Sequence, residues 1–304
     1  MYKQIDVVIV TYNRLEKLKR TINAFDSQTT LPKRIIIVNN NSNDGTMEFL
    51  EEWRNKKYEY EKVVLNLPEN IGGSGGFFRG IEFALNNNAD WIWVSDDDAY
   101  PEKSAIEYAL NYINNHDMNN VSAICGQVIE KNAISYAHRR NIKQGIIRIK
   151  ETNSKKSDYK KEEFDIDLFT YVGTVMNAKK VKEVGNVNKD FFIHYDDTEH
   201  SERLRKVGRI ICIPKIKVIH DIQNRTINEK ISWKDYYSYR NKLYFFENNF
   251  GKRYSNFEKL LIYLRIIKKH NYECTKLILT AIKDFNNNKL GMHDVYKPGW
   301  TFKK

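Results

Sequence analysis

The sequence predicts an α/β fold: an open, mixed but mainly parallel sheet flanked by helices, with a helical C-terminal extension. In the first 115 residues, short apolar runs alternate with segments of helical spacing. The runs are almost continuously apolar, which is typical of strands buried on both faces. From Trp233 onward the pattern is mostly helical, with aromatic residues among basic ones. Alternating strands and helices are typical of parallel sheets, because each crossover needs a connecting segment, usually a helix.

Four apolar runs supply the predicted parallel strands: residues 5–10, 34–38, 62–67 and 91–95. Helical spacing follows the first run, and Asp44 or Thr46 is placed to cap the helix after the second. In such sheets, ligands bind beyond the carboxyl ends of the strands. The polar segments that follow the strands, "TYNR", "NNNSNDGT" and "SDDDA", should therefore converge on one edge.

The alternation weakens beyond about residue 120. Residues 121–129 and 145–150 resemble strands, 209–220 resemble a pair of apolar strands, and 151–163 read as a charged, solvated loop. Internal repeats and low-complexity linkers are absent from the sequence. We therefore expect one compact α/β unit with a helical extension.

The net charge of +11 is concentrated near the C-terminus. Residues 222–304 contain 17 Lys/Arg and 7 Asp/Glu, a net of +10, which leaves 33 against 32, or +1, for the rest. A basic region of this kind favours binding to a nucleic acid backbone or to an anionic membrane surface. Within it, Leu260, Leu261, Leu264 and Ile267 share one helical face. That face is expected either to be buried in the protein or to lie in a membrane interface.

Cysteine usage and hydropathy limit the class of protein. The three cysteines lie far apart and form no C-x-x-C motif, so a disulfide framework or a cysteine zinc site is not expected. A reducing cytoplasm fits this pattern. The sequence has no run of eighteen apolar residues, and its first apolar run is predicted to be a strand, not a signal peptide.

The segment "NIGGSGGFFRG" is rich in glycine but does not fit a phosphate loop. In a G-x-x-x-x-G placed from Gly75 to Gly80, Ile81 stands where such a loop has lysine. Four glycines within five residues indicate close backbone approach or positive φ. The segment is either a tight strand-to-helix turn or a loop against a ligand, with Arg79 facing its phosphates.

Three adjacent carboxylates, Asp96, Asp97 and Asp98, follow the fourth strand. Crowded like charges raise one another's pKa. A solvated loop in which Asp98 caps the next helix is one interpretation. The better one is a site for Mg²⁺ or Mn²⁺, which take oxygen ligands and can neutralise a departing diphosphate.

A second acidic cluster lies in "FFIHYDDTEHSERL". Its acids are placed near a predicted helix N-terminus, where negative charge is favourable. Alternatively, one carboxylate is a general base that faces the same cleft as the metal. Further along, His220 ends a strand, as a structural histidine or as a metal ligand.

Taken in order, "VVIVTYNR", "VNNNSNDGT", "NIGGSGGFFRG", "SDDDA", "FFIHYDDTEHSERL" and "VIH" resemble the family 2 inverting glycosyltransferases of the GT-A fold, over roughly residues 4–221. "NIGGSGGF" followed by "DDDA" is most similar to bacterial galactofuranosyltransferases, and nearly as similar to rhamnosyltransferases. The resemblance implies a catalytic domain, 1–221, with a nucleotide-sugar half, 1–115, and an acceptor and base half, 116–221. Residues 222–304 are then a basic helical extension.

The resemblance also implies roles for individual residues. Nucleotide-sugar binding falls to Thr11, Tyr12, Arg14, Asp44, Gly72, Gly73, Arg79, Asp96 and Asp97. Asp96, Asp98 and His220 hold Mn²⁺ or Mg²⁺, Asp197 is the catalytic base, and the acceptor side comprises Tyr171, His194, Asp196 and Glu199. One departure concerns the acceptor: mycobacterial galactofuranosyltransferases carry tryptophans before the base segment, where this chain has "FTYVGTVM".

The activity that the resemblance implies is transfer of galactofuranose from UDP-galactofuranose, or alternatively of rhamnose from dTDP-rhamnose. The acceptor is a hydroxyl of a lipid-linked or polysaccharide chain, which places the protein at the cytoplasmic face of the cell membrane. A nucleotidyltransferase is less compatible, because such enzymes open with a glycine-rich first loop and "TYNRLEKLKR" has no glycine. A nucleic-acid-binding protein would leave both acidic clusters unexplained, because carboxylates repel phosphate. No nucleic-acid partner is therefore expected.

Overall fold

The computed structural model describes residues 2–222, 231–269 and 272–301. Its strands are β1 (Ile5–Thr11), β2 (Arg34–Asn39), β3 (Glu61–Asn66), β4 (Trp91–Asp96), β5 (Ala99–Pro101), β6 (Val121–Glu130), β7 (Ala133–Ile134), β8 (Arg139–Gln144), β9 (Ile149–Asn153), β10 (Phe164–Ile166), β11 (Leu168–Phe169), β12 (Thr174–Asn177) and β13 (Arg209–His220). Its helices are α1 (Leu15–Asp26), α2 (Thr46–Asn55), α3 (Gly72–Asn86), α4 (Ala105–Asn115), α5 (Ala178–Val184), α6 (Asp196–Arg205), α7 (Trp233–Phe250), α8 (Lys252–Lys269) and α9 (Tyr272–Asn286).

The main sheet runs in the order β10-β13-β6-β12-β4-β1-β2-β3, with β5 beside β13 and β7 beside β6. The longest ladders are parallel: β1 with β2 and β4, β2 with β3, and β13 with β6. Shorter antiparallel ladders join β12 to β4 and to β6. The predicted open, mixed but mainly parallel sheet is confirmed. A separate three-stranded sheet has the order β11-β8-β9.

Alternate residues of the central strands face the two helical layers. Val7 and Ile9 of β1 belong to the core that contains α1, α2 and α4. Val8 and Val10 belong to the core on the other face, with α3, α5 and α6. Since both faces of β1 are covered, its continuous apolar sequence is the pattern that this position requires.

Two details of the predicted second half are wrong. Residues 145–148 form the turn between β8 and β9, closed by a bond from the Gly145 N–H to the Arg148 carbonyl, and β9 extends into the predicted loop. Residues 209–220 form one strand, not two, with a register shift between Ile213 and Lys217. Pro214 lies within that shift, where it has no N–H to donate to a ladder.

The helical C-terminal region begins at Trp233, as predicted. Ser232 and Asp235 form a capping box at the start of α7. Side chains of α7 and α9 share an apolar cluster with Phe191 and Phe192, which lie just before α6. The extension therefore packs on the segment that carries the second acidic cluster. In the part of the chain that the structure describes, no helix is long and apolar enough to cross a membrane. The division at residue 221 stays a prediction.

Candidate active site

The loops after β1 and β2 are tied together by hydrogen bonds. The Asn13 N–H donates to Ser42 Oγ at 3.0 Å, and the Asn43 N–H donates to Asn13 Oδ1 at 2.8 Å. The Leu15 N–H donates to Asp44 Oδ2 at 2.9 Å, so Asp44 caps α1. Asp44 also accepts hydrogen bonds from Thr46, the first residue of α2, as expected for the predicted cap of that helix. The predicted convergence of these loops is confirmed.

Asn40, which the sequence analysis did not single out, joins these loops to α3. Its side chain donates to the Gly72 carbonyl at 2.9 Å and accepts from the Ile71 N–H at 3.0 Å. Its own N–H donates to the Thr11 carbonyl at 2.9 Å. Its position at the end of a buried strand, within "NNNS", is the feature of the sequence that could have indicated a role in the site.

The glycine-rich segment is the first part of helix α3, not a loop. Gly72 has a φ of +80°, and a Cβ on it would lie 2.1 Å from the Phe192 carbonyl oxygen. A Cβ on Gly76 or Gly80 would lie 2.6 or 2.3 Å from Val10 or Val8 of β1. The predicted positive φ and close backbone approach are both confirmed. The glycines let α3 lie directly on β1 and on the segment before α6.

Three other predicted donor-binding residues are less constrained. Tyr12 is half-buried directly after β1, and a Cβ on Gly73 would meet no atom within 4 Å. Arg79 lies on the exposed side of α3, where it pairs with Glu82 at 3.1 Å beside a groove along β3. Their contact with a nucleotide-sugar stays a prediction.

Asp97 is the buried centre of the first acidic cluster. Its Oδ2 accepts from Thr11 Oγ1 at 2.8 Å, its Oδ1 from Arg14 Nη1 at 3.2 Å, and its carbonyl from Thr21 Oγ1 at 2.7 Å. Burial raises the pKa of Asp97 to about 6, although Arg14 opposes the shift. Asp97 therefore anchors the loop after β1.

Asp98 is surrounded by positive groups. Arg14 Nη1 lies 2.8 Å and Lys17 Nζ 3.3 Å from its Oδ2, and His220 Nε2 lies 3.5 Å from its Oδ1. Burial alone would raise the pKa of Asp98, but the bond to His220 and the charge of Arg14 hold it at about 2. The alternative in which Asp98 caps the next helix is wrong, because α4 begins at Ala105 after Ser104.

A divalent cation fits the group formed by Asp96, Asp98 and His220. One possible ligand atom of each residue lies within 4.8 Å of those of the other two. Burial and the neighbouring Asp98 charge raise the pKa of Asp96 to about 7, a crowding that a cation would relieve. Carboxylate and imidazole ligands suit Mn²⁺, and carboxylates suit Mg²⁺.

A hydrogen-bonded chain that was not predicted orients His220. Its Nδ1 lies 2.8 Å from Glu130 Oε1, which also lies 2.8 Å from His138 Nε2. His138 Nδ1 in turn lies 2.6 Å from Thr170 Oγ1. Because a carboxylate accepts, Nδ1 of His220 donates to Glu130. Burial lowers the pKa of His220, but the bond to Asp98 and the Asp96 charge raise it to about 9, so Nε2 also carries a proton that faces Asp98. A bound cation would replace that proton on Nε2.

The second acidic cluster begins α6, as predicted. Burial raises the pKa of Asp196 to about 8, and the Asp197 charge contributes. Burial also raises the pKa of Asp197, opposed by the Arg140 charge and by bonds from the Thr198 N–H at 2.5 Å and Thr198 Oγ1 at 3.0 Å. Arg140 Nη2 donates to Thr198 Oγ1 at 2.7 Å. Both carboxylates therefore favour the protonated form more than usual.

The remaining acceptor candidates are held by internal contacts. Both oxygens of Glu199 accept from Arg203, at 2.8 Å each, so Glu199 stabilises α6 as one half of an ion pair. The Tyr171 hydroxyl lies 2.8 Å from His200 Nδ1 and is buried. His194 precedes the aspartates with a φ of 66°. Their contact with an acceptor stays a prediction.

Comparison with known proteins gives a family and two groups of named enzymes. The family "Glycosyl transferase family 2" matches residues 6–184. "Galactofuranosyltransferase GlfT1" of Mycolicibacterium smegmatis is 27% identical over 207 residues, 66% of this chain and 65% of that protein. "dTDP-rhamnosyl transferase RfbF" of Shigella flexneri is 27% identical over 231 residues, 75% and 72% of the two chains. The chain thus spans just under two thirds of the galactofuranosyltransferase's length.

Solved structures share the fold. S. aureus TarS, residues 1–349 in complex with UDP-GlcNAc, superposes with a TM-score of 0.61 at 15% identity, covering 93% of this chain and 80% of that one. GalNAc-T7 with UDP, GalNAc and Mn²⁺ superposes with a TM-score of 0.60 at 15% identity, covering 88% and 58%. The sheet and its flanking helices are therefore those of GT-A glycosyltransferases.

Proposed function

Because this chain belongs to glycosyl transferase family 2, we propose that it is a metal-dependent inverting glycosyltransferase that transfers galactofuranose from UDP-galactofuranose. The acceptor is a hydroxyl of a lipid-linked or polysaccharide chain. The observation that carries the proposal is the meeting of a cation-binding group and a buried carboxylate pair. Val10, the strand partner of Asp96, lies against Gly76 of α3, and α3 also binds Phe192, four residues before Asp196. The Asp96 charge accordingly contributes to the raised pKa of Asp196. Similarity to galactofuranosyltransferases supports the choice of sugar.

The first cluster binds the donor in this proposal. Asp96, Asp98 and His220 would hold Mn²⁺ or Mg²⁺, which when bound neutralises the departing diphosphate. Arg14 lies against Asp98 and brings a fixed positive charge to the same place. Thr11 fixes Asp97 and so keeps the loop after β1 in position for the nucleotide.

The second cluster supplies the general base in this proposal. Asp197 accepts the proton of the acceptor hydroxyl, whose oxygen attacks the anomeric carbon from the face opposite the diphosphate. The new carbon–oxygen bond forms as the bond to the diphosphate breaks, so one displacement inverts the configuration. Burial raises the pKa of Asp197, which makes it a better proton acceptor than an exposed aspartate once it is ionised.

Rhamnose from dTDP-rhamnose is the second candidate. It is supported by RfbF, whose similarity covers more of this chain, 75%, than that of the galactofuranosyltransferases. Both candidates require the same metal group and base, and they differ in the nucleotide.

A thermal-shift panel of UDP, dTDP and GDP with and without Mn²⁺ tests the proposal. We expect UDP with Mn²⁺ to stabilise the protein, by about 2.7 kcal/mol at 100 times Kd. The response should disappear in Asp98→Ala and persist in Asp165→Ala, which changes an exposed aspartate paired with Arg209. A larger response to dTDP would favour rhamnose. Equal responses to all nucleotides, or none that depends on metal, would contradict the proposal.

An anionic membrane surface is the proposed location of the acceptor. Helix α8 contains six Lys/Arg and one Asp/Glu. Leu260, Leu264 and Ile267 of the predicted apolar face are 52%, 48% and 66% exposed, so that part of the face points away from the protein, whereas Leu261 is half-buried. Exposed apolar and basic side chains on one helix suit the interface of an anionic bilayer. The side chains of residues 268–270, the basic end of the predicted segment, lie outside the described residues.

Vesicle co-sedimentation tests this location. We expect binding to phosphatidylglycerol-containing vesicles to exceed binding to pure phosphatidylcholine, and to fall with added salt. Leu264→Asp with Ile267→Asp should weaken it, whereas Met47→Asp, at an exposed apolar position on α2, should not. Equal binding to both lipids, or no effect of the α8 changes, would contradict it.

A further inference from the structure

The segment just before α6, residues 191–195, has an unusual backbone. Phe192, His194 and Tyr195 all have a φ of 66°. Non-glycine residues seldom adopt positive φ, and three within four positions persist only where the surroundings impose the conformation. Asp196 and Asp197 follow directly as the first residues of α6. The path of this segment therefore sets where the proposed base lies.

Asn241 of α7 binds this segment from the C-terminal side. Its side-chain Nδ2 lies 2.9 Å from each of the carbonyl oxygens of Phe191, Ile193 and His194. Asn241 has no exposed surface. The two N–H groups of this amide are shared among three carbonyls of one irregular segment, whose polar groups need such partners when they are buried.

Arg240 fixes the orientation of that amide. Its Nε donates to Asn241 Oδ1 at 2.9 Å, so the amide nitrogen must face the segment. Its Nη2 donates to the Phe191 carbonyl at 3.1 Å and its Nη1 to the Gly291 carbonyl at 2.8 Å. The guanidinium also lies over the ring of Tyr237, 5.0 Å from its centroid. Arg240 is 1% exposed, so this arrangement is shielded from water.

Helix α3 holds the segment from the opposite side. The Ser74 N–H donates to the Phe192 carbonyl at 3.1 Å, next to Gly72. The Phe192 ring stacks on Tyr237 with centroids 5.0 Å apart. The segment is thus held between the helix that starts at the donor loops and the first helix of the C-terminal region.

We propose that Arg240 and Asn241 are positioning residues for the transfer reaction, which hold residues 191–195 so that Asp197 points at the acceptor hydroxyl. The inference rests on the proposed function, in which Asp197 is the base. It assigns the C-terminal region a part in catalysis that is separate from any contact with a membrane.

Asn241→Leu tests the role of the amide, because leucine has a similar volume and no donor. Turnover is measured as nucleotide release from the nucleotide-sugar that the wild-type protein turns over fastest. We expect kcat to fall more than tenfold, with donor KM and the nucleotide thermal shift within twofold of wild type. Hydrogen exchange of the amides in residues 191–197 should accelerate. Asn241→Asp, which keeps the bond from Arg240 but has no donor, should behave in the same way if Asn241→Leu does not fold.

Ser255→Ala is the matched control. It removes a buried hydrogen bond to α7, 2.7 Å from Ser255 Oγ on α8 to Glu247 Oε2, that does not reach the segment. We expect its kcat and the exchange of residues 191–197 to match wild type, even where its melting temperature falls as much as that of Asn241→Leu. An equal loss of kcat in both variants would indicate a general stability effect and overturn the inference.

A double variant separates this inference from the proposed function. If Asn241 acts through Asp197, Asp197→Asn with Asn241→Leu should be no slower than Asp197→Asn alone. A slow Asp197→Asn together with wild-type kcat in Asn241→Leu would overturn the positioning role and leave the base in place. Normal turnover by Asp197→Asn would overturn the base and with it the positioning role.

Discussion

The protein has two runs of adjacent aspartates, and their surroundings differ. In the first, Asp98 lies within 3.5 Å of groups on Arg14, Lys17 and His220, which keep its pKa at about 2. In the second, Asp197 is influenced by Arg140 but burial dominates, so its pKa is raised. In the proposed reaction, Asp98 stays ionised beside the cation and Asp197 takes up a proton. Burial and neighbouring charges, not the aspartates themselves, make this difference.

The sharpest test of this comparison is Asp197→Asn. We expect turnover to fall about 10²–10⁴-fold, the usual contribution of a general base, while the UDP and Mn²⁺ thermal shift is retained. Asp196→Asn should have a much smaller effect, because a carboxyl with a pKa of about 8 is already mostly protonated at neutral pH. Steady-state rates of the two variants check this, and equal losses would remove the distinction between the two aspartates.

Glu130→Gln probes the first cluster through His220. Loss of the carboxylate leaves the His220 tautomer unspecified, so we expect Mn²⁺ to bind about 10–100-fold more weakly. A Mn²⁺ titration of the UDP thermal shift measures this. Glu102→Gln is the control, because Glu102 is a half-buried glutamate that pairs with Lys217 and not with His220. An unchanged titration in Glu130→Gln would show that the hydrogen-bonded chain does not support the metal group.

The pH dependence of turnover probes the second cluster. A base must be ionised to accept a proton, so kcat/KM should fall as the pH is lowered through the pKa of Asp197, above the usual aspartate range. Arg140→Gln removes a charge that lowers this pKa, so the acidic limb should move to higher pH. Arg148→Gln, at an exposed position, should leave it in place. A limb that moves to lower pH in Arg140→Gln would contradict the arrangement.

Gly72→Ala tests the contact that links the two halves of the site. Positive φ and a Cβ 2.1 Å from the Phe192 carbonyl predict destabilisation by more than about 1 kcal/mol, a loss of several degrees in Tm. At the next position, Gly73→Ala meets no atom within 4 Å and should leave Tm nearly unchanged. Differential scanning calorimetry compares the two, and equal melting temperatures would mean that the contact at Gly72 is readily relieved.

Most of the fold follows from local sequence patterns. The four parallel strands and the helix at Trp233 were predicted. A strand buried on both faces has a continuous apolar run, and a helix buried on one side has apolar residues at three- and four-residue spacing. The turn at residues 145–148 and the single strand at 209–220 were not. Their boundaries depend on which strand pairs with which, and that information is not in the local spacing.

The candidate site shows the same division. Adjacent aspartates after a buried strand are visible in the sequence, and so is a histidine at a strand end. Glu130 and Asn241 are not, because their roles arise only from contacts with residues 90 and about 50 positions away. An isolated glutamate or asparagine carries no pattern that distinguishes it from others of its kind.

The sequence by itself therefore determined the four parallel strands, the helical C-terminal region and the position of the first three aspartates directly after a strand, since local periodicity is enough for these. Only the tertiary structure decided how those carboxylates are charged and held. The pKa values of Asp98 and Asp197 depend on Arg14, His220 and Arg140, which folding brings to them from distant positions. The path before Asp197, with its positive φ values, is in contact with both α3 and α7, and such a backbone persists only where other elements hold it.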